Sequence, residues 1–116
     1  MNNEDTRIVE SSGNVFADLG LPNADEHMLK AQIVVQLRRL IEERMLTQTK
    51  AATLIGMAQP DLSNVLHGHF KGYSVERLMR LLTALDQDIE IRVQPKANET
   101  QPARISVTSV RRMPAS

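Results

Sequence analysis

From Thr47 to Gly68 the chain reads TQTKAATLIGMAQPDLSNVLHG, and few folds accept that spacing of apolar and turn-forming residues. Thr47 can cap a helix, because its hydroxyl accepts from a free N–H of the first turn. Ala51, Ala52, Leu54 and Ile55 then give about two turns an apolar side. Gly56 falls where that helix must stop and the chain must turn, a place where a left-handed residue costs least if it is glycine. The spacing predicts a second helix from Gln59, with Leu62, Val65 and Leu66 on its core side and Gly68 as its stop.

Two helices that cross closely need a small residue at the crossing, and Ala52 supplies it. They need a turn glycine, Gly56, and branched or long apolar residues on the inner face of the second helix, Leu62 and Val65. That combination describes a helix-turn-helix, in which the second helix enters the major groove of DNA. Two core helices of an ordinary bundle are the plainer alternative.

The flanks extend the pattern. Asn14 to Pro22 reads NVFADLGLP, a single helical turn capped by Asn14 and ended by Gly20, with Val15, Phe16, Leu19 and Leu21 pinning it to the domain. Asn23 and Glu26 stand at capping-box spacing and open the longest helix, expected to run to about Met45. Leu29, Ile33, Leu37, Leu40 and Ile41 recur along it at helical spacing, with Lys30, Arg38, Glu42 and Glu43 on other faces. Such a helix is about 33 Å long at a rise of ~1.5 Å per residue, enough to brace the domain. Ser74 caps a further helix with Val75, Leu78, Leu82 and Leu85 inside, while Arg77 and Arg80 point to solvent. The period then changes to strict alternation over Asp88 to Gln94, a strand with Ile89, Ile91 and Val93 on one face, ended by Pro95. The expected fold is therefore mainly α: five helices and a C-terminal β-strand used in dimerisation. Residues 1–13 read as a flexible acidic arm, 14–95 as the domain, and 96–116 as a flexible tail in which Ile105, Val107 and Val110 allow a second, weaker strand.

The formal net charge is zero, yet its distribution is uneven. Residues 1–26 carry one basic and six acidic side chains, whereas residues 27–85 carry eight basic and four acidic. The basic excess thus lies on the candidate DNA-binding core, behind an acidic arm. With no cysteine there is no disulfide or thiolate chemistry. No glycine loop of phosphate-binding type and no metal-ligand spacing appears; His67 and His69 lack a nearby carboxylate to complete a site. No apolar run approaches the ~18 residues of a membrane span, and the N-terminus lacks the pattern of a signal peptide. The expectation is a soluble, intracellular protein that is not an enzyme and needs no cofactor or metal.

Base-reading residues of a helix-turn-helix come from the exposed start of its second helix. Here they are Gln59, Pro60, Asp61, Ser63 and Asn64, with His67 a turn further on. Gln59 and Asn64 carry amides that can pair with adenine N6 and N7, and Asp61 can accept from cytosine N4. Pro60 loses no helical donor in the first turn, and its ring suits a thymine methyl. Asp61 is also favoured by the helix dipole. From Gln59 to His67 there is no Lys or Arg. Phosphate attraction is therefore assigned to Gln48, Lys50, Lys71 and Tyr73, with Arg38 or Arg39 as further candidates.

Gln48, Ala52, Gly56, Leu62 and Val65 resemble the pattern of Cro/repressor-type (XRE) helix-turn-helix proteins. NVFADLGL from Asn14, ADE from Ala24, LIEER from Leu40, LTQ from Leu46, Gln59-Pro60, GHFKGYS from Gly68 and ERLMRLLTAL from Glu76 look like the HigA-type antitoxins of that family. The resemblance spans about Ser12 to Pro95. It implies a cytoplasmic, nucleoid-associated bacterial protein, a dimer that represses its own operon at a palindromic site on double-stranded DNA and binds a small basic RNase toxin. Relatives often carry Lys after the Gln-Pro pair, where this chain has Asp61. A stand-alone XRE-family regulator is the alternative within the class, and a protein-interaction module that has lost DNA binding is the alternative outside it.

Overall fold

The computed structural model describes residues 23–110. Its helices are α1 (Asn23–Glu43), α2 (Gln48–Ile55), α3 (Gln59–Leu66) and α4 (Val75–Ala84). The arm, the turn expected between Asn14 and Gly20, the capping side chain of Asn23 and the last six residues lie outside the described region. Four of the five expected helices are therefore on view.

Helix α1 is the spine against which α3 and α4 pack, while α2 packs on α3 and α4. Its predicted stripe of Leu29, Ile33, Leu37, Leu40 and Ile41 is buried, joined by Val34. Opposite it lie Leu62, Val65 and Leu66 of α3, and Val75, Leu78, Leu81, Leu82 and Leu85 of α4 and its end. Phe70 fills the remaining corner and stacks on His27 with ring centroids 5.1 Å apart. Each fully buried aliphatic side chain of this set contributes about 1.5–3 kcal/mol, so the core rests on leucine and isoleucine with almost no aromatic help.

Two burial expectations are corrected. Lys30, placed on a face other than the apolar stripe, is only 8 % exposed. Its ammonium sits 3.2 Å from Glu26 one turn earlier, which supplies the counter-charge that burial demands. Leu54, read as part of the inner side of α2, is 43 % exposed. Ala51 and Ala52 are essentially inaccessible and Ile55 packs half-buried on the core, and at ~100° per residue Leu54 falls outside the arc these three define.

All four helices stop in the same way. A backbone N–H folds back to the carbonyl five residues earlier: Leu46 to Ile41, Met57 to Ala52, His69 to Asn64 and Gln87 to Leu82. The residue before each donor is left-handed: Met45 at φ 57°, Gly56 at 88°, Gly68 at 100° and Asp86 at 68°. This is the Schellman arrangement. At Gly56 and Gly68 a Cβ would meet nothing within 4 Å, so glycine is favoured there by backbone conformation and not by crowding. The helix starts also agree with expectation. Thr47 Oγ1 accepts from Lys50 N and Ser74 Oγ from Arg77 N, both at 3.0 Å.

After α4 no strand forms among the described residues. Ile91 and Val93, expected on the buried face of a strand, are 68 % and 92 % exposed, and Ile89 is exposed as well. A single chain offers this segment no ladder. Further on, the Val107 N–H donates to Gln32 Oε1 of α1 at 2.8 Å, and Val107 packs half-buried against the core.

Candidate nucleic-acid interface

With Leu62, Val65 and Leu66 turned inward, α3 must present its other side to solvent. Pro60, Asp61, Asn64 and His67 are exposed there, and Gln59 and Ser63 are half-buried at its margin. The structure thus gathers all six sequence-derived reading candidates onto one helix and its cap. Ala58 precedes α3 without a side-chain cap, and Asp61 is the acid of the first turn. Its carboxylate compensates part of the exposed N–H charge that a capping side chain would otherwise meet.

Gln59 is not a free amide. Its Nε2 donates to Gln48 Oε1 at 2.9 Å, joining the first residue of α3 to the first residue of α2. A primary amide has two N–H donors and a carbonyl with two lone pairs. The contact therefore leaves Gln59 one N–H and its Oε1, which is the donor–acceptor pair needed for adenine N7 and N6. Gln48 keeps both of its own N–H donors and faces the same side. One glutamine fixes the other, and both remain able to bind.

His67 is similarly committed. Its Nδ1 lies 2.7 Å from the Ser63 carbonyl. A carbonyl can only accept, so Nδ1 carries the hydrogen and Nε2 is left outward. Asn64 keeps its side-chain amide free, while its backbone carbonyl receives His69 N at 2.8 Å.

The cations divide into two groups. Lys50 at the start of α2 and Lys71 in the loop after α3 are exposed, and neither ammonium has an acidic partner among the described residues. Arg38 and Arg39, the further phosphate candidates, are engaged elsewhere. Arg39 is held by Gln36 at 2.6 Å and Glu43 at 2.8 Å, and Arg38 Nη2 donates to the Leu66 carbonyl. Tyr73 is half-buried and carries the Arg77 guanidinium 4.3 Å above its ring. Arg77 is exposed, as expected, and a cation over a tyrosine face gains about 0.5–1 kcal/mol at such a site. It brings a further positive charge beside the Lys71 loop that the sequence reading did not assign.

A family model described as a helix-turn-helix domain matches residues 15–94. A solved structure described as an XRE family transcriptional regulator superposes with a TM-score of 0.71 at 40 % sequence identity, covering 77 % of this chain and 100 % of that one. No curated protein matches the chain.

The glutamine pair generates a test that needs no ligand. A neutral side-chain hydrogen bond contributes about 0.5–1.5 kcal/mol net. In urea unfolding, the cycle of Gln48→Ala, Gln59→Ala and the double variant is expected to show a coupling of about that size. Strict additivity would mean that the two amides do not hold one another in solution.

Proposed function

Because the chain belongs to the XRE family of helix-turn-helix proteins, we propose that it is a sequence-specific DNA-binding transcriptional repressor. The observation that carries this reading is the Gln48–Gln59 pair at the head of α3, which presents an oriented amide beside exposed Asn64 and Asp61. Lys50, Lys71 and Gln48 supply the phosphate contacts around it. The protein acts by binding, without catalysis, in the cytoplasm. Gln59→Ala is expected to weaken the preferred duplex by about 1–3 kcal/mol and relax selectivity at one base pair. Lys71→Ala is expected to weaken every duplex alike and to lower the salt slope by about one unit. Fluorescence anisotropy across a salt series separates the two, and an unchanged preference in Gln59→Ala would displace α3 as the reading helix.

We further propose a homodimer joined through Asp88 to Gln94. Ile91 and Val93 are exposed apolar side chains on an alternating segment with no ladder of its own. An antiparallel copy would satisfy its backbone groups and set Glu90 across from Arg92. Two reading helices roughly 34 Å apart then meet a palindrome. Ile91→Pro removes a ladder donor. It is expected to sediment as a monomer, and a dimeric variant would place the interface elsewhere.

The biological setting we propose is that of an antitoxin of HigA type, with a small basic RNase as the partner. Support comes from the sequence resemblance and from the acidic N-terminal segment, whose charge suits a basic protein and opposes DNA. Deleting Met1 to Gly13 should abolish co-purification of such a toxin while leaving DNA affinity equal or higher. A deletion variant that keeps the toxin but loses DNA would reverse the assignment of the arm, and a full chain that co-purifies no such toxin would favour a stand-alone regulator.

A further inference from the structure

The end of α3 accounts for its carbonyls one by one. The Ser63 carbonyl receives His67 N, the Asn64 carbonyl receives His69 N, and the Val65 carbonyl receives Gly68 N. The Leu66 carbonyl is the one left, because the chain turns left-handed at Gly68 and no backbone N–H reaches it. Leu66 is buried, so water cannot freely take that place. Its partner is Arg38 Nη2, reaching across from the middle of α1. Helix α3 has no basic residue in its last turn, so this guanidinium is also the cation at the negative end of its dipole.

We infer that Arg38 is a positioning residue for DNA recognition: it locks the C-terminal end of α3 to α1 and so fixes the angle at which the reading face is presented. The inference rests on the DNA-binding reading above but assigns Arg38 a different part from phosphate contact. Both ends of α3 are then held by polar contacts, the head by Gln48 on α2 and the tail by Arg38 on α1. A helix of eight residues has little rigidity beyond what such contacts give it. Freed at its tail, it keeps its apolar face buried but can tilt, and bidentate base contacts tolerate little tilt. Phosphate contacts from Lys50 and Lys71 lie on other segments and do not depend on that angle.

Arg38→Met keeps the aliphatic stem and removes the donors. The probes are a duplex selected from a random-sequence pool by the wild-type chain and the unselected pool itself. The variant should bind the selected duplex at least tenfold more weakly, bind the unselected pool within about twofold of wild type, and keep its salt slope. Amide hydrogen exchange at His67, Gly68 and His69 should accelerate at least tenfold while the amides of α1 stay protected. Arg38→Lys, which restores a cationic donor, should recover most of both effects. Equal losses on both probes, with a salt slope lower by about one unit, would make Arg38 a phosphate contact and overturn the inference. Unchanged preference or unchanged exchange overturns it too. If the wild-type chain selects no duplex, the DNA reading fails while the exchange measurement still decides whether Arg38 holds α3. If Arg38→Met does not fold, the guanidinium resonances of the wild-type protein decide. They stay unmoved on adding the selected duplex if Arg38 positions α3, and shift if it touches phosphate.

Discussion

Short helices are governed by their ends. An α-helix leaves about four N–H groups and four carbonyls without internal partners at its termini, so in an eight-residue helix such as α2 or α3 most of the backbone depends on what surrounds it. The domain meets this demand by repetition, closing every helix with the same five-residue back-bond and left-handed residue. Two carbonyls that this device does not reach are met by arginines, one from α1 and one from the residue that follows it. Arg38 donates to Leu66 at the end of α3, and Arg44 donates to Leu85 at the end of α4 at 3.1 Å. Neither α3 nor α4 has a basic residue in its last turn. Helix α1 therefore contributes an apolar stripe to the core, and it and the residue after it contribute cations to the ends of the helices that pack upon it.

This arrangement leaves α3 uncharged apart from Asp61. A reading helix rich in lysine would bind DNA of any sequence, because phosphate attraction carries no base information. Here the amides sit on α3 and the free ammonium groups sit beside it, on α2 and on the loop after Gly68. The Gln48–Gln59 contact adds orientation at little cost, since a pre-set amide loses less side-chain entropy on meeting a base.

Apolar periodicity made the architecture legible. The inner faces of α1, α3 and α4 follow from spacing, and the caps Thr47 and Ser74 and the stops Gly56 and Gly68 follow from residue chemistry. Periodicity fails where a side chain is placed by a neighbour distant in sequence. Lys30 reaches the Lys71 carbonyl, 3.4 Å away and 41 positions along, with Glu26 one turn earlier as its counter-charge. Met45 and Asp86 adopt a left-handed backbone without the glycine that would have announced it, helped at Met45 by Leu46, which packs half-buried on the core. The site divides along the same line. The six candidate reading positions could be found from the start of α3, whereas the contacts that hold its two ends, from Gln48 and Arg38, are fixed by tertiary packing. A glutamine opening each of two adjacent helices was the one signal in the sequence that could have suggested the pair.

The segment after α4 shows how a local pattern can be correct in kind and still have no expression in one chain. Alternation over Ile89, Ile91 and Val93 fits a pleated strand, but pleating confers stability only when a second strand completes the ladder. What the single chain does specify is where that segment departs. Arg44 holds the Leu85 carbonyl and lies 4.0 Å from the Asp86 carboxylate, while Gln87 Nε2 returns to the same Leu85 carbonyl at 3.0 Å. The exit from α4 is thus tied to the residue just past α1, the helix whose Arg38 also holds the tail of α3. A second copy pairing along Asp88 to Gln94, as we propose, would inherit that geometry. The separation of two reading helices would then be set by contacts within each chain as much as by the interface between them.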